Sequence, residues 1–168
     1  MPTRPAMTAI LVTGMSGTGK STALAELARR GYRVVDTDEG DWSIEVPAAD
    51  GSGVEQLWRE ERIRALLSEP PAGPLFVSGC VANQGTFSAQ FAATVLLTVP
   101  EDVLVGRLAS RETNDFGKTE AERARILNDL RTVEPLLRAA ATDEIDTRLP
   151  VSEVADRLES IASRSPDG

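Results

Sequence analysis

Short apolar runs and helical stripes alternate along the chain from Ala9 to Ile161, the pattern of strand-helix units that feed a parallel sheet. Ala9-Ile10-Leu11-Val12-Thr13 predicts a buried first strand. After a glycine-rich turn, Ala23, Leu24, Leu27 and Ala28 mark one face of a helix that Gly31 ends. Tyr32 to Asp36 reads as a short second strand. The acidic, glycine-containing stretch 37–53 reads as a loop or partly ordered lid, with Trp42, Ile44 and Val46 as its larger apolar residues. Val54, Leu57, Trp58, Leu66 and Leu67 predict a helix through about Ser68, which Pro70-Pro71-Ala72-Gly73-Pro74 must break. Leu75-Phe76-Val77 starts a third strand and Thr94 to Val99 forms a fourth. Pro100, followed by Glu101 and Asp102, then opens a helix that reaches Leu108 or just beyond. Thr119 and Glu122 form a capping-box pair, so a further helix runs from there to about Ala141 and leaves Arg111 to Lys118 as an exposed loop. Glu144-Ile145-Asp146 is a weak last strand. Val151, Val154, Ala155, Leu158 and Ile161 give the stripe of a final helix, ahead of a frayed tail at 163–168.

Composition narrows the classes. With 168 residues, 41% of them apolar, the chain is expected to form a single domain over 1–168 with one buried core. Its 18 basic and 26 acidic residues give a net charge of −8, which disfavours nucleic acid and anionic membrane surfaces and favours a small soluble partner. Cys80 is the only cysteine and there is no histidine, so an internal disulfide, a Cys/His zinc site and histidine catalysis are excluded. No extended apolar segment precedes the first strand, so a cytoplasmic location is expected, with the chain a monomer or weak homodimer.

One motif carries the chemistry. Gly14-Met15-Ser16-Gly17-Thr18-Gly19-Lys20-Ser21 satisfies G-x-x-x-x-G-K-[ST] and lies between a predicted strand and a predicted helix, the context its mechanism needs. Gly14, Gly17 and Gly19 allow a tight turn whose N–H groups, with the helix N-terminus, point at phosphate oxygens. Lys20 adds a mobile positive charge and the Ser21 hydroxyl a Mg²⁺ ligand, while Thr22 supports the helix start. Met15, Ser16, Thr18 and Thr22 complete the expected ATP-binding set. The bland alternative is a glycine-rich turn with a chance lysine.

Val34-Val35-Asp36-Thr37-Asp38 places two carboxylates at the C-terminal end of a strand, the edge where ligands collect in open parallel sheets. If the extended conformation persists, both lie on one side, with Asp36 serving Mg²⁺ and Asp38 the acceptor. The alternative is a solvated acidic loop. Arg107 and Arg111, one helical turn apart, are candidate phosphate contacts, and the loop from Arg111 to Lys118 reads as a closing lid. Surface charges that serve the helix dipole are the competing reading for these arginines, and for Arg125. After the third strand, Gly79 lets a substrate approach the backbone, Asn83 and Gln84 offer amide contacts, and Cys80 reads as packing at the same substrate edge.

These motifs resemble those of the shikimate kinase, gluconate kinase and adenylate kinase group of small P-loop kinases, over nearly all of the chain. The resemblance implies an α/β, three-layer P-loop NTPase fold: a five-stranded parallel sheet in the order 2-3-1-4-5, helices on both faces and a short lid. An Asp-x-Asp pair ends the second strand in shikimate kinases, its first member serving magnesium and its second the acceptor hydroxyl, which implies these roles for Asp36 and Asp38. Ser78-Gly79-Cys80 only partly resembles the glycine-rich turn of those enzymes. Arg107-Leu108-Ala109-Ser110-Arg111 is similar to the lid entrance of adenylate kinases, and Arg125 to a phosphate-binding arginine there. Ser16 stands where their loop has proline, which brings this loop closer to gluconate and sugar-type kinases.

The expectation is an ATP- and Mg²⁺-dependent kinase that phosphorylates a hydroxyl of an unidentified metabolite or antibiotic-like acceptor. Lys20, Asp38 and Arg111 are the expected catalytic residues, and Asp38, Gly79, Cys80, Asn83 and Arg125 line the acceptor. A nucleoside monophosphate kinase, using Arg59, Arg62 and Arg64 for the acceptor phosphate, is one rival. A protein that hydrolyses or senses ATP without a second substrate is the other.

Overall fold

A computed structural model describes residues 9–15, 17–47, 51, 53–68, 73–81, 83–109 and 120–163. In chain order the elements are β1 (Ala9–Thr13), α1 (Lys20–Arg29), β2 (Arg33–Asp36), β3 (Ser43–Pro47), β4 (Val54–Trp58), α2 (Glu60–Leu67) and β5 (Leu75–Ser78). A 3-10 helical segment, Gln84–Gln90, precedes β6 (Ala93–Thr98), α3 (Glu101–Ala109), α4 (Glu120–Thr132), α5 (Glu134–Ala140), β7 (Asp143–Asp146) and α6 (Val151–Ala162). The main sheet has the order β2-β5-β1-β6-β7 with every pairing parallel, which is the expected 2-3-1-4-5 arrangement.

Every residue of β1 and β6 is buried, as a strand covered on both faces requires. Alternation divides the core in two. Ile10 and Val12 face Ala23, Leu24 and Leu27 of α1 and Val154, Ala155 and Leu158 of α6. Ala9 and Leu11 face the opposite layer, built from Trp58, Ile63, Leu66, Phe87 and Phe91. Ala28 is exposed, so the buried face of α1 is narrower than its sequence stripe. Gly31, at φ +97°, closes α1: the Tyr32 amide reaches Leu27 O at 3.1 Å and the Gly31 amide reaches Ala28 O at 3.0 Å.

Three expectations are corrected. The stretch expected to be a loop contains β3, and Val54 to Trp58, expected to start a helix, forms β4, the two pairing as an antiparallel ribbon from Ser43↔Trp58 to Pro47↔Val54. Tertiary bonds decide this. The Asn83 amide accepts from the Trp58 backbone N–H at 2.8 Å and donates to the Trp58 carbonyl at 3.1 Å, while the Arg59 N–H reaches Trp42 O at 2.7 Å. Helix α2 therefore starts only at Glu60. The long helix expected up to Ala141 is two helices, α4 and α5, because Pro135 in the first turn of α5 cannot donate the backbone bond that would continue α4. Thr119 and the loop 111–118 lie outside the described residues. Among the described residues, no helix is long and apolar enough to cross a membrane.

The core predicts its own hierarchy. Leu158 is fully buried and Leu136 is 69% exposed. Leu158→Ala is expected to lose ~2–5 kcal/mol of unfolding free energy in urea titrations, against roughly 0.5 kcal/mol or less for Leu136→Ala.

Candidate active site at the carboxyl edge of the sheet

The site begins where β1 ends. A Cβ on Gly14 would lie 2.6 Å from the Leu97 carbonyl oxygen and 2.7 Å from Thr18 Oγ1, so no side chain fits there. The Thr18 hydroxyl and amide both donate to Met15 O, at 2.7 and 3.2 Å, which closes the turn. Gly19 caps α1 in the left-handed conformation. The chain then enters α1 with its first N–H groups free of intrahelical partners, the usual seat of an anion. The Lys20 ammonium folds back onto Gly14 O at 2.7 Å and Met15 O at 3.1 Å.

Ser21 faces the second strand. Its hydroxyl donates to Asp36 Oδ2 at 2.7 Å, joining the helix start to the carboxyl end of β2. A hydroxyl and a carboxylate converging on one point are the hard oxygen donors that suit Mg²⁺. Ser78, paired with Asp36 in the sheet register, is buried and its hydroxyl has no hydrogen-bond partner. Among the described residues, no group of three or more His, Cys, Asp or Glu side chains converges on one point.

The extended conformation assumed for Asp36 and Asp38 does not persist. Strand β2 ends at Asp36, whose Oδ1 captures the Asp38 amide at 3.0 Å and turns the chain. Asp38 thus reaches the site from a turn. Burial by the surrounding protein pushes its carboxyl above the ordinary aspartate value, the Lys20 charge opposes the rise and Asp36 adds to it.

A cleft of about 340 Å³ opens beside the turn, lined by Gly17, Gly19, Arg107, Leu149 and Val151 among others. Arg107 is anchored there: Nη1 donates to Thr147 Oγ1 at 3.0 Å and to Gly17 O at 3.3 Å, and Nη2 donates to Thr147 O at 2.7 Å. Thr147 has no part in the sequence reading. The signal available was a threonine directly after the last strand, at the ligand edge of the sheet.

The remaining candidates fall elsewhere. A Cβ on Gly79 would lie 2.4 Å from Thr37 Oγ1 and 3.1 Å from the Trp58 ring, so the space expected for a substrate is filled by protein. The Asn83 amide is spent on the Trp58 backbone, and Gln84 donates to Thr13 Oγ1 at 3.1 Å. Cys80 is half-buried with a free thiol. Ser16, Arg111, Lys118 and the side chain of Arg125 lie outside the described residues. Arg59 and Arg62 converge on Asp41, at 3.1 and 3.3 Å, and Arg59 Nε is buried without a partner. Arg64 instead pairs with Glu60. Arg62 also covers the Trp42 ring, 4.8 Å from its centroid.

A family described as AAA domain matches residues 10–128. Among solved structures, the chain is similar to a shikimate kinase from Bacteroides thetaiotaomicron (20% identity, 95% of this chain and 100% of that one, TM-score 0.64). It is also similar to the shikimate-bound shikimate kinase of Acinetobacter baumannii (19%, 92% and 92%, TM-score 0.61). A gluconokinase from Sinorhizobium meliloti 1021 is a further likeness (21%, 96% and 94%, TM-score 0.58). No curated protein matches. At these identities the structural likeness establishes a small P-loop kinase-like fold and not a substrate.

The Asp38 environment makes a titration prediction. Carboxyl NMR should place its midpoint above that of an exposed aspartate, Lys20→Met should raise it further and Asp36→Asn should lower it. A pKa raised in the folded state contributes stability below the unfolded value and loses it as pH rises through the folded one. Asp38→Asn should therefore not lower the thermal midpoint at neutral pH.

Proposed function

The chain belongs to the AAA domain family, and we propose that it is an ATP-dependent kinase that phosphorylates a hydroxyl of a small-molecule acceptor. The observation that carries this reading is the convergence of four groups at one sheet edge. Ser21 and Asp36 meet at 2.7 Å, and Asp38 stands within the field of Lys20 with its pKa raised. A protein that only senses nucleotide has no need for a second, basic carboxylate there.

In this mechanism the triphosphate lies against the turn 14–19 and the start of α1, and the base enters the cleft beside Arg107 and Leu149. Lys20 exchanges the carbonyls of Gly14 and Met15 for phosphate oxygens. Mg²⁺, held by Ser21 and Asp36, would neutralise phosphate charge. The acceptor oxygen attacks the γ-phosphorus, the bond from that phosphorus to the ADP oxygen breaks, and Asp38 takes the hydroxyl proton. An elevated pKa makes Asp38 a stronger base than an ordinary carboxylate. Arg111 and Arg125 supply the lid and phosphate cations in this proposal, with a cytoplasmic monomer or weak homodimer as the working unit.

A narrower acceptor class has its own support. Asp41 occupies the grip of Arg59 and Arg62 as a substrate carboxylate or phosphate would. An acidic acceptor, a nucleoside monophosphate included, fits this arrangement.

ATP turnover across a panel of hydroxylated metabolites tests the reading, since one acceptor should accelerate it far beyond the rate with water. Equal turnover throughout would sink it. Asp38→Asn should cut transfer by about 10²–10⁴-fold and leave ATP affinity within about twofold. Lys20→Ala should weaken ATP binding by about 10–100-fold in calorimetry.

A further inference from the structure

Thr147 uses every polar atom it has. Its amide donates to Thr98 O at 2.9 Å, extending the ladder between β6 and β7 by one bond. Its carbonyl accepts from Arg107 Nη2 at 2.7 Å, and its hydroxyl accepts from Arg107 Nη1 at 3.0 Å. The hydroxyl has one proton, and the shorter of its two carbonyl contacts takes it: Thr18 O at 2.7 Å, against Thr98 O at 3.4 Å. The residue itself is fixed, because Asp146 accepts the Arg148 amide at 2.9 Å and so shapes the turn in which Thr147 sits.

The Thr18 contact reaches past Thr18. The peptide linking Thr18 to Gly19 is planar and trans, so a carbonyl held toward Thr147 turns the Gly19 N–H the opposite way. That N–H belongs to the cap of α1, where the phosphate-facing amides begin. One hydroxyl therefore sets two things: the guanidinium that walls the cleft and the orientation of an amide in the phosphate turn.

We propose that Thr147 is a positioning residue that couples the base cleft to the phosphate turn, through Arg107 on one side and the Thr18–Gly19 peptide on the other. The proposal rests on the nucleotide reading above. It predicts that losing the hydroxyl weakens even a ligand that carries no base.

Calorimetry of the full chain with Mg-ATP and with inorganic tripolyphosphate tests this. Thr147→Val, which keeps the shape and removes the hydroxyl, should weaken both ligands by about tenfold, the effect of one buried hydrogen bond. Thr147→Ser should restore both. Arg107→Ala should weaken ATP by more than it weakens tripolyphosphate, because it removes the cleft wall and one bond to Gly17 O but leaves the Thr147 to Thr18 bond in place. If valine is not accommodated, as the thermal midpoint will tell, Thr147→Cys offers only a weak S–H donor and should show the same paired loss. Unchanged tripolyphosphate binding in the folded variant, or failure of serine to restore it, overturns the coupling alone. A wild type that binds neither ligand overturns the nucleotide reading and the coupling with it.

Discussion

The structure depends on how closely the turn after β1 is driven against the end of β6. The gap between Gly14 and the Leu97 carbonyl leaves no room for a side chain. Strand β1 is buried throughout and hydrogen-bonded on both sides, to β5 and β6, so its end cannot retreat to relieve the contact. The chain must reverse within six residues and enter α1 directly. This fixes where Lys20 and Ser21 emerge and brings Ser21 opposite Asp36, which lies at the end of a strand two positions away in the sheet. The spacing of the glycine-lysine-serine motif is thus a packing requirement before it is a chemical one.

The parallel sheet was legible because its strands are short apolar runs separated by helical stripes, and burial on both faces leaves no competing pattern at Ile10, Val12, Leu96 or Leu97. The β3–β4 ribbon was not. Val54, Leu57 and Trp58 fall at helical spacing, yet Trp58 is claimed by Asn83, a partner 25 residues away in sequence. A signal did exist: Trp42, Ile44 and Val46 alternate with polar residues at the period of a strand. Pattern alone could not say that a second strand stood ready to pair.

The site divides in the same way. Phosphate-turn residues were legible because their geometry is local, set by consecutive backbone conformations. Asp36 and Asp38 were expected on one side through strand periodicity, but a side-chain-to-backbone bond is what turns the chain between them. Gly79 and Asn83 were read as open to a ligand, but Thr37 and Trp58 occupy them. For Thr147 the sequence shows only a threonine directly after the last strand, since its contacts lie 40 and 129 residues away.

The cations of the site are not equivalent. Lys20 rests on two carbonyls of one turn through a single flexible ammonium, so it can pass to a phosphate without moving the backbone. Arg107 holds Gly17 and two atoms of Thr147 with a rigid planar fork, and swinging it toward a transferred phosphoryl group would break all three bonds. Arg107 is therefore committed to the cleft wall. In a chain of net charge −8, attraction of a polyanion would rest on the local field of the α1 N-terminus and Lys20, and in the proposed kinase the charge that develops during transfer would be met by Lys20, Mg²⁺ and a further cation of the chain. That demand is what the arginine-bearing segment after α3 would serve in the proposed kinase.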